Sequence, residues 1–218
     1  MLRSFQIACL LLLFSGLSYS QTAAAPVVSF TLDFPDSRPE HYSIRVRDDG
    51  RGHYQSNGHV AADSDETDSF ELDFTIAGET RQKIFGLAAK ADYFQKDVGA
   101  SHKGMAFTGK KTLGYKDSQR SGESSFNYSA KPAVQELTTL MQNLSATLEF
   151  GHRLQYDRHY QKLALDEELK RMEEMAESNQ LIEVAAIQAI LDQIVADQSV
   201  INVTRARAQR LLERAGVR

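Results

Sequence analysis

The stretch PAVQELTTLMQNLSATLEFGHRLQYDRHYQKLALDEELKRMEEMAE, residues 132–177, decides how the rest of the chain is read. It holds one glycine, Gly151, and no proline after Pro132. Val134, Leu137, Met141, Leu144 and Leu148 recur at spacings of three and four, which places them on one helical face. After Gly151 the apolar positions resume at Leu154, Leu165, Leu169, Met172 and Ala176, with Tyr156, Tyr160 and Leu163 beside them. The pattern predicts one long helix, or two helices hinged at Gly151. Pro132 suits a first helical turn, where its missing N–H would have had no partner.

Upstream of this stretch the period changes to two. Val28, Phe30, Leu32 and Phe34 alternate with polar residues, as do Tyr42, Ile44 and Val46, and again Phe70, Leu72, Phe74 and Ile76. Asp48-Asp49-Gly50-Arg51 reads as a tight hairpin turn, because glycine supplies the positive φ such turns need. A short strand around His53–Ser56 ends at Asn57-Gly58, a second turn pair. Ile84, Leu87, Ala88 and Ala91 mark a helix, with Tyr93 and Phe94 tucked under its end. Strands follow at about Met105–Asp117 and around Phe126 and Tyr128, separated by a turn over Ser118–Gly122.

Downstream only helical spacing is found. Ser178 and Asn179 suit the cap of a helix carrying Leu181, Val184, Ile187, Leu191 and Ile194. A last helix with Ile201, Ala208, Leu212 and Ala215 stops at Gly216. The fold class is therefore α+β: an antiparallel sheet of about five to six strands packed with helices, then an α-helical C-terminal tail. The expected division is a signal peptide over 1–20, a flexible lead over 21–26, the α+β domain over 27–150 and a three-helix tail over 151–218, with Gly151 at the junction. No internal repeat or low-complexity tract interrupts it.

The N-terminus reads as a secretory signal. Arg3 precedes an apolar run from Ile7 to Phe14, and Ser18-Tyr19-Ser20 offers small residues for cleavage after Ser20, with Ala23–Ala25 as the alternative. Eight apolar residues fall well short of the roughly 20 that span a bilayer. Cys9, the single cysteine, lies within that run. The mature chain would be cysteine-free, excluding disulfides, thiolate metal sites and thiol nucleophiles. These features imply a secreted or periplasmic protein without a stable membrane span.

Twenty-nine acidic residues against 25 basic ones, with no tryptophan, exclude the strongly basic surface of a nucleic-acid binder. The charges are uneven. Residues 26–76 hold eleven acids and four bases, and residues 81–131 hold ten bases and four acids. Adjacent segments of one sheet would neutralise each other, and a charged binding face is the other reading.

The motif set Tyr42-x-Ile44-x-Val46, Asp49-Gly50, Tyr54, Ile84–Leu87 and Ala91-Asp92-Tyr93-Phe94 resembles a group of small exported bacterial domains of unknown function. The resemblance covers roughly residues 27–150, and the helical ending resembles that of other exported proteins of environmental bacteria. It implies the fold and export, and brings no catalytic residue with it.

No constellation identifies a chemistry. His41, His53, His59, His102, His152 and His159 are scattered, and no His-Glu-x-x-His occurs. The acidic run Asp63-Ser64-Asp65-Glu66-Thr67-Asp68 lacks the glycine at position six and the glutamate at position twelve of a calcium loop. Ser121-Gly122-Glu123-Ser124-Ser125 is not a nucleophile elbow. No catalytic, cofactor-binding or metal-binding residue is assigned. In the tail, Glu167 is spaced to reach Lys170 and Arg171 along one helix, and the mixed charge argues against a membrane-surface helix. The Leu169, Met172 and Ala176 stripe either closes a small bundle or docks a partner or a second copy. The expected function is a non-enzymatic interaction or envelope-associated module. A hydrolase with a carboxylate or histidine site formed only in the fold, and a small-ligand-binding sheet domain, are the alternatives.

Overall fold

The computed structural model describes residues 25–35, 37–59, 66–101 and 103–216. The expected signal peptide and most of the lead lie outside them, as do Asp63, Ser64, Asp65 and His102. Six strands form one antiparallel sheet: β1 (Val27–Asp33), β2 (His41–Arg47), β3 (Arg51–His59), β4 (Thr67–Thr75), β5 (Lys110–Lys116) and β6 (Ser121–Phe126). Their order across it is β4-β3-β2-β1-β5-β6. Among the described residues there are also five α-helices: α1 (Gly78–Lys90), α2 (Pro132–Tyr160), α3 (Ala164–Glu177), α4 (Gln188–Ala196) and α5 (Asn202–Arg214). The class is α+β with a helical C-terminal region.

Period two does the work expected of it. Val28, Phe30 and Leu32, then Tyr42, Ile44 and Val46, then Leu113 and Tyr115, all turn to one face and are buried. Against them lie Ile84 and Leu87 of α1 and Val134, Leu137, Met141, Leu144 and Leu148 of α2. The opposite parity carries Ser29, Thr31, Ser43, Arg45, His53, Gln55, Glu71, Asp73 and Thr112. The acid-rich segment builds β1–β4 and the base-rich one builds β5, and they meet along β1–β5, where Asp33 is the register partner of Lys110.

The helix does not hinge at Gly151. It runs unbroken to Tyr160, and the turn comes at Gln161–Leu163. Between Leu154 and Leu165 the apolar stripe lapses, since Tyr156, Tyr160 and Leu163 are exposed, so nothing holds the helix to a partner there. Gly151 instead gives Ile187 its place: a Cβ at 151 would lie 2.5 Å from Ile187 Cγ2. The side chains buried by sheet and tail belong to one hydrophobic cluster running from Val28 to Leu212.

Other expectations shift in detail. Asn57-Gly58 is not a turn, because β3 continues to His59 and pairs these residues with Ser69 and Asp68 of β4. The strand expected over 105–117 narrows to 110–116, leaving Phe107 exposed and edge-on to Phe34. β6 begins at Ser121, so the turn before it is shorter, held by Asp117 accepting the main-chain N–H groups of Gln119 and Arg120 at 2.7 and 2.6 Å. Ser178 and Asn179 terminate α3, Asn179 at φ +55°, rather than capping the next helix. That helix opens as a 3-10 turn at Val184. Leu181, Val184, Ile187, Leu191 and Ile194 are buried all the same.

Glu167 does not form the expected ion pairs with Lys170 and Arg171. Glu168 is the one that reaches Arg171, and it also reaches Arg153 of α2. Across the bundle, Arg207 of α5 binds Asp166 (3.0 Å) and Glu173 of α3. Leu165, Leu169, Met172 and Ala176 pack inside the chain, so this stripe closes a bundle on α5 and α2 and is not a free docking face.

Candidate functional site

The histidines do not converge. His41 Nδ1 lies 2.5 Å from Asp33, His53 Nδ1 2.8 Å from Asp73 and His59 Nδ1 2.7 Å from Glu40, three separate pairs along the sheet. His159 Nδ1 lies 2.9 Å from the Gln155 carbonyl, beside the Tyr160 ring. Among the described residues no three His, Cys, Asp or Glu side chains are placed to hold a metal ion. Of the acidic run, Asp68 sits on β4 and faces His152 at 3.6 Å. Ser124 and Ser125 serve the sheet: Ser124 Oγ accepts the Val98 N–H at 3.0 Å, and Ser125 bonds Thr112 at 2.8 Å.

A polar cluster lies inside the core, where α2 crosses β3. Glu149 Oε1 accepts the hydroxyls of Tyr54 (2.7 Å) and Ser56 (2.6 Å), and Tyr54 also meets Ser145 Oγ at 3.0 Å. His152 extends the cluster outward, 3.9 Å from Glu149 and stacked flat on Phe70 at 4.3 Å. Burial pushes the Glu149 carboxyl up, but the nearby His152 imidazole and the hydrogen bonds from Ser56 and Tyr54 outweigh it and leave the group below the usual carboxylate range. Burial, and then the charge of Glu149, push the Tyr54 hydroxyl well above its ordinary value. Tyr54 and Ser56 are 0 % and 3 % exposed, so no substrate reaches either hydroxyl. The cluster ties helix to sheet, satisfying polar groups that burial would otherwise penalise.

The accessible candidate is a groove of about 720 Å³ at the hairpin end of the sheet. It is lined by Gly52 of β3, Phe74 and Thr75 of β4, Val27, and Ala185 and Ala186 from the C-terminal helical region. Arg45 and Arg47 reach it because they alternate with the buried Ile44 and Val46. Arg51 and His53 reach it from the facing strand. Asp49, at the hairpin tip, accepts the Arg51 main-chain N–H (3.0 Å) and its guanidinium (2.9 Å), and lies 3.5 Å from Arg47. Those contacts, the main-chain one foremost, hold its carboxyl below the usual range. Asp73 is engaged by His53. The Arg45 guanidinium has no hydrogen bond or ion pair among the described residues. The groove therefore presents an uncommitted guanidinium among apolar lining residues Val27, Phe74, Ala185 and Ala186, a combination that takes a planar or tetrahedral oxyanion.

No protein-family model and no curated protein matches the chain. Among the described residues no helix is long and apolar enough to cross a membrane.

Neither cluster was picked out by motif. Arg45-x-Arg47-Asp48-Asp49-Gly50-Arg51 did carry a signal: three arginines around one hairpin must fall close together on the outward parity. Ser145, Glu149 and His152, spaced four and three apart beside Leu144 and Leu148, carried the other.

Proposed function

We propose that this chain is an exported bacterial, non-enzymatic binding module, and that the groove at the end of its sheet takes an anionic group, a carboxylate or phosphate, of its partner or ligand. The observation that carries the reading is Arg45: a guanidinium without a counter-ion among the described residues, flanked by Arg47, Arg51 and His53, in an open groove of about 720 Å³. A hydrolase would need its histidines or carboxylates together in an accessible cleft, and His41, His53 and His59 each engage a different acid. The test is an NMR titration with inorganic phosphate and with citrate at low salt, chloride serving as control. Shifts should centre on Arg45, His53, Ala185 and Ala186. Arg45→Gln should weaken binding about tenfold, the loss of one charge-assisted hydrogen bond. Diffuse shifts that persist in Arg45→Gln refute the reading.

Self-association through the helical tail is a second reading, favoured by Tyr156, Tyr160 and Leu163, which are 53, 75 and 88 % exposed around the α2–α3 turn. Light scattering of the whole protein decides it. A dimer that dissociates in Tyr160→Ser/Leu163→Ser supports it, and a monomeric parent protein ends it.

A further inference from the structure

The two edges of the sheet are treated differently. Along β6 the chain itself covers the edge: Ala100 N–H donates to the Tyr128 carbonyl (2.8 Å), Val98 N–H donates to Ser124 Oγ, and Ser129 Oγ donates to the Val98 carbonyl. β4 is nine residues long and pairs only with β3 among the described residues. The main-chain bond from Ile76 N–H to the Gly50 carbonyl (3.0 Å) sets the phase of that ladder. In an antiparallel pair bonded residues alternate, so the even-numbered residues of β4 bond back to β3. The N–H and C=O groups of Thr67, Ser69, Glu71 and Asp73 point outward, away from the sheet. Long open edges of this kind are templates for another strand.

What would fit is set by side chains. Phe70 and Leu72 are half-buried at the inner corner of the edge, leaving an apolar shelf for alternate residues of an added strand. Asp68, Glu71 and Asp73 make the strand acidic, with no basic residue within it, and Glu71 has no partner among the described residues. A second copy of β4 would set these acids against each other, and like charges across a ladder destabilise it.

We infer that the free edge of β4 is a docking site for a basic, extended segment of another protein, which adds as a seventh strand with its apolar residues over Phe70 and Leu72. Main-chain bonds supply affinity, and the acids select the partner. This goes beyond the anion groove and stands or falls separately, because a cationic segment has no affinity for arginines.

The probe is a blocked peptide alternating lysine with valine, about ten residues long, with a glutamate–valine peptide as control. Amide hydrogen exchange in the whole protein reads the result by parity. The Ser69, Glu71 and Asp73 amides should slow at least about tenfold on saturation, while those of Phe70 and Leu72, already bonded, should change little. Glu71→Pro removes an outward donor and no ladder bond, so it should keep the parent melting temperature within about 2 °C, an effect of well under 1 kcal/mol, and lose at least about tenfold in peptide affinity. Glu71→Lys should also weaken the lysine peptide. Protection without the odd–even pattern, unchanged affinity in Glu71→Pro, or equal protection by the glutamate peptide overturns the inference.

Discussion

Replacing Gly151 by alanine separates two accounts of the same helix. In an ordinary helix interior the substitution is stabilising by about 1 kcal/mol, because glycine gives up more backbone freedom on folding. At Gly151 the new Cβ would sit 2.5 Å from Ile187 Cγ2 and 3.2 Å from Ile187 Cβ. Carbon atoms rest about 3.5–4.0 Å apart, so the shortfall is about 1 Å. Ile187 is 3 % exposed, and a methyl on its β-carbon cannot swing away as the end of a long side chain would. Overpacking of this kind costs about 1–3 kcal/mol. Set against the helical gain, the net loss is up to about 2 kcal/mol, or up to about 4–8 °C in melting temperature for a chain of this size. Calorimetry on Gly151→Ala measures it, and the cycle with Ile187→Ala tests the cause. Ile187→Ala alone should be costly, and less so when alanine already stands at 151, with a coupling of about 1 kcal/mol. A rise in melting temperature for Gly151→Ala would refute the argument that this glycine is a notch for Ile187.

Glu149→Leu leaves the buried hydroxyls of Tyr54 and Ser56 without their acceptor and should cost about 2–5 kcal/mol, read by urea unfolding, whereas Glu149→Gln, which keeps an acceptor, should cost about 1 kcal/mol. The folded carboxyl lies below its unfolded value of 4.5, so its contribution is present above pH 4.5 and fades as pH falls through the folded value. Glu149→Gln should therefore flatten the acid limb of a stability–pH profile, and an unchanged limb counts against this assignment. Gly122→Ala places a Cβ 2.2 Å from the Tyr93 carbonyl oxygen and 2.9 Å from the Phe94 carbonyl carbon, backbone that cannot yield cheaply. It should destabilise by about 3 kcal/mol and weaken the near-ultraviolet signal of Tyr93, whose ring packs on Tyr115 and under Arg120.

Much of the fold was legible because it is periodic. Alternation at Val28–Leu32 and Tyr42–Val46 named both the strands and their buried face, and Asp49-Gly50 named the hairpin, where Gly50 sits at φ +85°. Where local chemistry and pairing disagreed, pairing won. Asn57-Gly58 has the composition of a turn, yet β4 offers it ladder partners and it remains strand. Glu167 has the spacing of an intrahelical pair, yet the ion pairs form from Glu168 to Arg153 and from Asp166 and Glu173 to Arg207, since α3 lies against α2 and α5. The candidate groove was half legible. The outward parity of Arg45 and Arg47 follows from the strand, but nothing local says that Ala185 and Ala186 will line it.

The sequence by itself determined the elements, the buried face of each and the α+β class, because spacings of two and of three to four are properties of a single strand or helix. Tertiary structure alone decided that α2 passes through Gly151 and ends at Tyr160, that Glu149 becomes a buried acceptor for a tyrosine 95 residues away, and that β4 is an edge strand among the described residues. Each of those depends on which distant segment arrives as a neighbour, and periodicity along one segment carries no record of that.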